Sequence, residues 1–529
     1  MADLGGLTPE NATPESEADR GKPWYKLLNR YHVFVLVVAA LGWLFDCLDQ
    51  QLFILARPSA MEELVTAADY PELSDKDLGA KRRELGDYAT SIFVAGWACG
   101  GLIFGWLGDR IGRTKTMLVT ILLYSLCTGL SAFAVGVWDF AFYRFLTGLG
   151  VGGEFAVGVA LVAEVMPTKA RPYCLGLLQA LSAVGNITAA LINLRLGLGD
   201  DQGLESSPWR TMFLIGAAPA LLAVVVRVWL KEPEKWTQAK LASGGATKSL
   251  WTTYGELFAD ATWRKHAILG LLLGCSGILG LWCVGFYSPD LIREVQRPSV
   301  QAELKNEALQ VELFEAELRR TQAASQPDSA LVADLQAILA QYKDTSAQLD
   351  EKVQARKDGM LKAKETRMLA KWQSFTSIAI NVGAFLGMFG FGALAQRIGR
   401  KPTFVIALLA AFTSTVSVFW FVDSVSKIFI MVPLMGFCQL SLFAGYAIYF
   451  PELFPTRLRS TGTSFCYNVG RFVTAFGLLV KPQIDKFFAN PENPVEGIRN
   501  AGVAMCAVFF IGLFVLPFLP ETKDQPLPE

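Results

Sequence analysis

Apolar runs of about 20 residues, the length at which a helix crosses the hydrocarbon of a bilayer, recur along this chain from residue 33 to residue 518. A backbone that must satisfy its own hydrogen bonds in lipid has few choices, and runs of this length select helices. Twelve fall at 33–56, 88–108, 116–137, 139–165, 173–196, 210–230, 266–290, 373–395, 403–422, 427–449, 461–481 and 498–518. Charged residues make up 18% of the 529, against about 25% in soluble domains. They are unevenly spread, since residues 293–371 alone hold 13 basic and 13 acidic side chains. The expected fold class is an all-α membrane protein of twelve transmembrane helices in two six-helix halves.

The short loops orient it. The 2–3 loop carries Arg110, Arg113 and Lys115, the 4–5 loop Lys169 and Arg171, the 8–9 loop Arg397, Arg400 and Lys401, and the 10–11 loop Arg457 and Arg459. All lie on one face, which the positive-inside rule makes cytoplasmic, together with both termini. The membrane is expected to be the inner or plasma membrane. Residues 1–22 are polar, lack the layout of a signal peptide and read as a disordered cytoplasmic tail. The nine cysteines all lie in apolar stretches, with no CxxC pair, and read as small buried hydrophobes rather than disulfide or metal ligands. Balanced charge, 48 basic against 48 acidic, gives no sign of a nucleic-acid binder.

An internal repeat divides the chain. Gly105-Trp-Leu-Gly-Asp-Arg-Ile-Gly-Arg113 returns 287 residues later as Gly392-Ala-Leu-Ala-Gln-Arg-Ile-Gly-Arg400. Glu164-Val-Met-Pro-Thr-Lys-Ala-Arg171 returns 288 residues later as Glu452-Leu-Phe-Pro-Thr-Arg-Leu-Arg459. Two motifs at one spacing indicate a duplicated half, a transporter architecture. The expected domains are the tail 1–22, a first half 23–230, a cytoplasmic linker 231–265, helix 7 at 266–292, an insert 293–371, helices 8–12 at 372–520 and a cytoplasmic tail 521–529. In the insert, Leu304, Val311 and Leu318 are seven apart, as are Leu335, Tyr342 and Leu349, and Gln326-Pro-Asp-Ser329 reads as a turn. This predicts a helical hairpin with coiled-coil character outside the membrane, serving as a solvated spacer or as a module for an extracytoplasmic partner or self-association.

Ionisable residues inside spans carry the functional signal. Asp46 and Asp49 are three apart in span 1 and share a helix face. Two close carboxylates in a poor dielectric do not both ionise at low cost, and a carboxylate poised between its two forms is what proton coupling needs. Span 4 holds Arg144 and, ten residues deeper, Glu154, with Gly148, Gly150 and Gly153 between them. Those glycines match a dinucleotide fingerprint, but that motif needs a strand before it; here they let another helix approach, and Arg144 either reaches span 1 or snorkels. Span 11 holds Tyr467, Asn468 and Arg471, a cation suited to an anionic substrate.

The Gly105–Arg113 motif resembles the loop 2–3 signature of the major facilitator superfamily, and Arg144 with Gly148 and Gly150 resembles its span-4 signature. Glu164, Pro167 and Arg171 with their repeat, Glu232-Pro233-Glu234 and Pro520-Glu521-Thr522 resemble its sugar-porter-like branches. Asp46 and Asp49 resemble the D-G-x-D element of aromatic-acid and sialate proton symporters, with Cys47 where that element has Gly. The resemblance implies proton coupling through Asp49 or Asp46 with Arg144. It also implies gate salt bridges among Asp109, Arg113, Glu164, Arg171, Arg397, Arg400, Glu452 and Arg459, the second copy carrying Gln396 where the first has Asp109. The expected function is proton-coupled uptake of a small organic anion by alternating access, with the gradient as energy source and no cofactor or metal. The rivals are a sugar or neutral-metabolite porter, and a non-transporting receptor or scaffold. No Walker A run, HExxH motif or nucleophile triad points to an enzyme.

Overall fold

The computed structural model describes residues 23–197, 209–218, 229–242, 249–281, 287–323, 328–343, 349–488, 490 and 493–528. Every regular element among them is helical. In chain order the α-helices are α1 (Arg30–Leu64), α2 (Asp75–Ile111), α3 (Arg113–Ser131), α4 (Val137–Val165), α5 (Arg171–Gly197), α6 (Trp209–Gly216), α7 (Glu234–Ala242), α8 (Leu250–Ala259), α9 (Ala261–Leu279), α10 (Tyr287–Leu304), α11 (Glu307–Ala323), α12 (Ser329–Lys343), α13 (Glu351–Ile398), α14 (Arg400–Phe421), α15 (Val425–Glu452), α16 (Arg459–Asn468), α17 (Gly470–Phe488), α18 (Pro494–Met505) and α19 (Phe509–Val515).

Nine helical stretches among the described residues are long and apolar enough to cross a membrane: α1 to α5, α13 to α15, and Val495–Phe518. The chain is thus a multi-pass membrane protein. The other three expected spans do not emerge as single long helices. The sixth is described only at its ends, with 219–228 outside the described residues. The seventh begins as α9, and 282–286 lie outside the described residues. The eleventh is broken at Val469, between α16 and α17. There Arg471 Nη1 donates to Tyr467 O at 2.6 Å, taking the carbonyl that an unbroken helix would give to the Arg471 amide.

Helix ends follow from local chemistry. Asn29 caps α1, its Oδ1 accepting from His32 N at 2.8 Å. Gly112 (φ 118°) and Gly399 (φ 101°) each end one helix and start the next, in a left-handed turn only glycine adopts without strain. The same duplication shapes the interior. A Cβ at Gly96 or Gly100 would strike the backbone carbonyls of Phe145 and Leu149, bringing α2 against α4; Gly383 and Gly387 bring α13 against Pro433 and Phe437 of α15 in the same way. The expected close approach at span 4 is present, with Gly148 against Phe93 of α2 and Gly150 against Tyr124 of α3.

The segment between α9 and the membrane part of α13 is not a two-armed coiled coil. α11 and α12 are shorter than the expected arms, and the second arm is continuous with a span, α13 running 48 residues. At 1.5 Å per residue a helix of that length is about 72 Å, so its first part stands clear of a bilayer core about 30 Å thick. Phe314, Leu335, Ile338 and Met360 form one small core, packed by Leu318, Tyr342 and Leu349. Leu304 belongs instead to a separate cluster with Val300 and Leu369. The seven-residue spacing therefore does not run as one seam.

Candidate functional site

Asp49 and Arg144 meet in the buried interior of the first six helices. Arg144 Nη1 lies 3.4 Å from Asp49 Oδ1. Thr128 of α3 donates to the same Oδ1 at 2.6 Å. The guanidinium donates to Ser131 Oγ (3.0 and 2.8 Å) and Thr147 Oγ1 (3.0 Å), and its plane lies over Phe213 and Phe53. Arg144 thus does not snorkel; α1, α3, α4 and α6 enclose it. The pairing is charge-assisted but long, and Arg144 keeps hydrogen-bond acceptors of its own if Asp49 is neutralised.

Asp46, one turn earlier, is separate from this pair. It is fully buried, and neither of its oxygens has a hydrogen-bond partner among the described residues. The same holds for Glu154 of α4. A Cβ at Gly42, one turn before Asp46, would overlap the Glu154 carboxyl, so the glycine makes room for it beside α1. The Tyr124 hydroxyl is also buried without a partner. Buried carboxyls without a cation are expensive when charged.

Arg471 is buried where the two sets of helices touch. Its guanidinium stacks 4.0 Å over Trp97 of α2 and 4.5 Å over Tyr467. Nη1 donates to Tyr467 O and, at 2.9 Å, to Asn468 Oδ1. Among the described residues it makes no ion pair, and its Nε has no partner. Tyr467 stacks on Phe155 of α4 (3.9 Å), which packs on Trp43 of α1 (4.5 Å). Asn468 Nδ2 donates to Gly152 O across the same contact at 3.3 Å. Buried polar atoms without partners, Trp43 Nε1 and Gln179 Oε1, lie on α1 and α5 of the same core.

The loop motifs meet on one face. Arg113 pairs with Asp109 (2.7 Å) and Glu164 (2.9 Å), and Arg459 reaches the same Glu164 oxygen from the other half at 3.3 Å. Asp109 accepts from Ser460 N (3.3 Å), Thr461 N (2.8 Å) and Thr461 Oγ1 (2.6 Å), capping α16 across the halves. In the second copy Arg400 pairs with Glu452 at 2.9 Å, and Thr522 Oγ1 donates to Glu452 at 2.6 Å. Two expected members stand apart. Arg171 Nε turns back on Ala163 O (2.9 Å), and neither Arg171 nor Arg397 makes an ion pair among the described residues.

Several partners escaped the sequence reading. Glu232 caps α3 through Thr114 N and Lys115 N (3.2 Å each), and Glu521 caps α14 through Arg400 N (2.9 Å) and Lys401 N (3.0 Å). Both stand in motifs quoted above, and a carboxylate 289 residues from its counterpart was the available signal. Thr128, Ser131 and Thr147 carried none, because hydroxyls in apolar helices most often bond their own backbone. Trp97 carried none either.

A bundle of spanning helices with a duplicated loop motif and buried charges at its centre fits a membrane transporter. The family profile described as "Sugar (and other) transporter" matches residues 65–289, and that of the "Major Facilitator Superfamily" matches 366–529. The chain belongs to the major facilitator superfamily, a family of transporters and not of enzymes. It is 26% identical over 507 residues to a "Putative metabolite transport protein" of Haemophilus influenzae, covering 94% of this chain and 99% of that one. It is 26% identical over 439 residues to the "Cis,cis-muconate transport protein" of Acinetobacter baylyi, covering 82% and 85%. The fold is that of the proton:xylose symporter of E. coli, with a TM-score of 0.65 at 16% identity over 94% of this chain and 98% of that one.

Proposed function

We propose that the protein takes up a small organic anion by proton-coupled alternating access. In this reading twelve spans form two six-helix halves, an extracytoplasmic insert follows span 7, and both termini are cytoplasmic in a plasma or inner membrane. The observation that carries it is Arg471, a fully buried cation with no carboxylate beside it among the described residues, at the contact of the two halves. A cation left so in the membrane is expensive, and a substrate carboxylate is its natural partner. A muconate, named for the Acinetobacter relative, is such an anion. The proton belongs to the carboxylates of the first half. Protonating Asp49 removes the charge that holds Arg144, while Ser131 and Thr147 keep the guanidinium in place. Asp46 and Glu154 supply a second buried carboxyl pair through which a proton can be kept off Asp49 or passed to it. Substrate and proton act together because each binds one conformation better than the other. The gradient is the energy source, and the chemistry calls for no cofactor.

The test is uptake by purified protein in vesicles with a proton gradient imposed in either direction, using candidates chosen by a thermal-shift screen of organic acids and sugars. Accumulation of an acid that collapses when the gradient is dissipated is the expected result. Gradient-independent equilibration overturns the coupling. A second reading, a sugar or neutral-metabolite porter, is favoured by the aromatic stack of Trp43, Phe155 and Tyr467 and by the amides Gln179 and Asn468, all suited to neutral rings and hydroxyls. Transport of sugars with no competition from acids would decide for it.

A further inference from the structure

A groove of about 380 Å³ opens between α13, α14 and α15, within the range of about 300–1,000 Å³ typical of ligand pockets. Its floor is apolar, formed by Phe391, Ala407 and Leu394. Ile406 and Phe437 at its rim are exposed. Exposed apolar side chains on spanning helices face hydrocarbon, so the groove opens onto lipid and not onto the aqueous face. One end is charged. Arg397, in the last turn of α13, lines it, is exposed and makes no ion pair among the described residues. Lys523 Nζ donates to Arg397 O at 2.9 Å and lies 4.0 Å from Asp524 Oδ2, so its own charge is matched there and Arg397 is left as the cation of the groove.

Gly390 explains why the space is there. Glycine is unfavourable inside a helix. At Gly383 and Gly387, on the same helix, it is required, because a Cβ would meet the backbone of α15. At Gly390 no such need exists: a Cβ would meet only Phe437 Cζ, at 3.9 Å. Its consequence is to leave the groove open.

We propose that this groove is a lipid site, holding one acyl chain of an anionic glycerophospholipid with the phosphate on Arg397. An apolar slot inside the bilayer that ends at the Arg397 guanidinium, which makes no ion pair among the described residues, complements an amphiphile with a negative head, and basic pockets between spanning helices bind such headgroups. A zwitterionic lipid offers the chain but no net charge for Arg397.

The test uses the full chain in vesicles of phosphatidylcholine with and without phosphatidylglycerol, reading the lipid retained by native mass spectrometry and the melting temperature. Wild type should retain phosphatidylglycerol in preference to phosphatidylcholine and melt higher in its presence. Arg397→Gln should lower that retention about tenfold, as loss of one charge-assisted contact implies, and Arg397→Lys should restore most of it. Gly390→Leu fills the slot and should abolish retention, with its melting in pure phosphatidylcholine as the folding control; Gly390→Val replaces it if the Leu variant misfolds. Equal retention of both lipids by wild type overturns the site. So does phosphatidylglycerol retention that survives the filling substitution, which would mark a headgroup contact at the surface only.

Discussion

Arg144 and Arg471 are both fully buried, yet their surroundings assign them different work. Arg144 has an acid within 3.4 Å and two hydroxyl residues as further acceptors. Arg471 has rings, a carbonyl and an amide, and no acid among the described residues. Asp49→Asn keeps the shape and the Thr128 contact but cannot exchange a proton. We expect it to abolish gradient-driven accumulation while leaving exchange of pre-loaded substrate; accumulation equal to wild type under an imposed gradient would refute the coupling role. Arg471→Lys keeps the charge and loses the planar fork that grips a carboxylate and stacks on Trp97. It should weaken apparent anion affinity about tenfold, the size of one charge-assisted contact, and Arg471→Gln should weaken it further. Titrating the same ligand against the three proteins checks this, and unchanged affinity in the Gln variant would transfer the case to a neutral substrate. All of these side chains were legible, because a charge in an apolar run stands out. Their partners were not: nothing in Trp97 or Ser131 distinguishes it from other tryptophans and serines of the spans until the helices are packed.

At the scale of elements, the two N-termini that follow Gly112 and Gly399 are each held by a carboxylate from a distant segment. Burial pushes the Glu521 carboxyl up, but the backbone N–H groups of Arg400, Lys401, Lys523 and Thr522 more than offset this, so it sits below the ordinary carboxylate range. A group lowered on folding stabilises above its unfolded value, near 4.3, and that contribution is lost as pH falls through the lower folded value. Glu521→Gln should therefore melt below wild type at neutral pH, with the gap closing as pH drops below about 4; a gap independent of pH would mean the carboxylate charge plays no part. The insert follows different rules. Its heptad spacing suggested one seam, but short helices bury whichever faces meet, and Leu304 went to a different partner from Leu318. Arg297 lies 3.4 Å from Glu365, and Val300 and Leu304 pack with Leu369, so the two ends of the segment are close. Replacing 305–362 by a short Gly/Ser linker removes the Phe314–Leu335–Ile338–Met360 core as a unit and keeps that closure. We expect the shortened protein to insert in the membrane and retain most uptake, measured in the same vesicles; loss of the folded protein would make the segment structural.

Across the whole molecule, the repeat visible in the sequence produces a loop network that is not symmetric. Asp109 and Gln396 occupy equivalent places, but only Asp109 crosses between halves, onto the amides that start α16. Gln396 Nε2 donates instead to Asp524 of its own tail at 2.9 Å. The reason lies in the helix each would face. Where α16 begins Arg459-Ser460-Thr461, α5 begins Arg171-Pro172-Tyr173. Pro172 has no N–H to offer, and the Tyr173 ring is stacked on Trp24 at 5.0 Å. A carboxylate at 396 would find at most the Tyr173 amide, where Asp109 finds two amides and a hydroxyl, and its absence is matched to the proline. Both residues were plain in the sequence, but their connection needed the geometry, because they are 224 positions apart. If the protein works by alternating access, α2 against α16 is the latch on this face, and α13 against α5 is the side on which it turns. Removing a charge-assisted hydrogen bond set of this kind costs about 1.5–3 kcal/mol, which shifts a two-state ratio by about tenfold to a hundredfold. Asp109→Ala should accordingly move the population toward opening on this face, while Gln396→Ala should leave it near wild type. Distances between spin labels placed on the α2 and α16 ends, compared in the three proteins without substrate, report that population directly. Equal shifts from the two substitutions would mean that the latch is shared by both copies, and that the proline at 172 has no bearing on the gate.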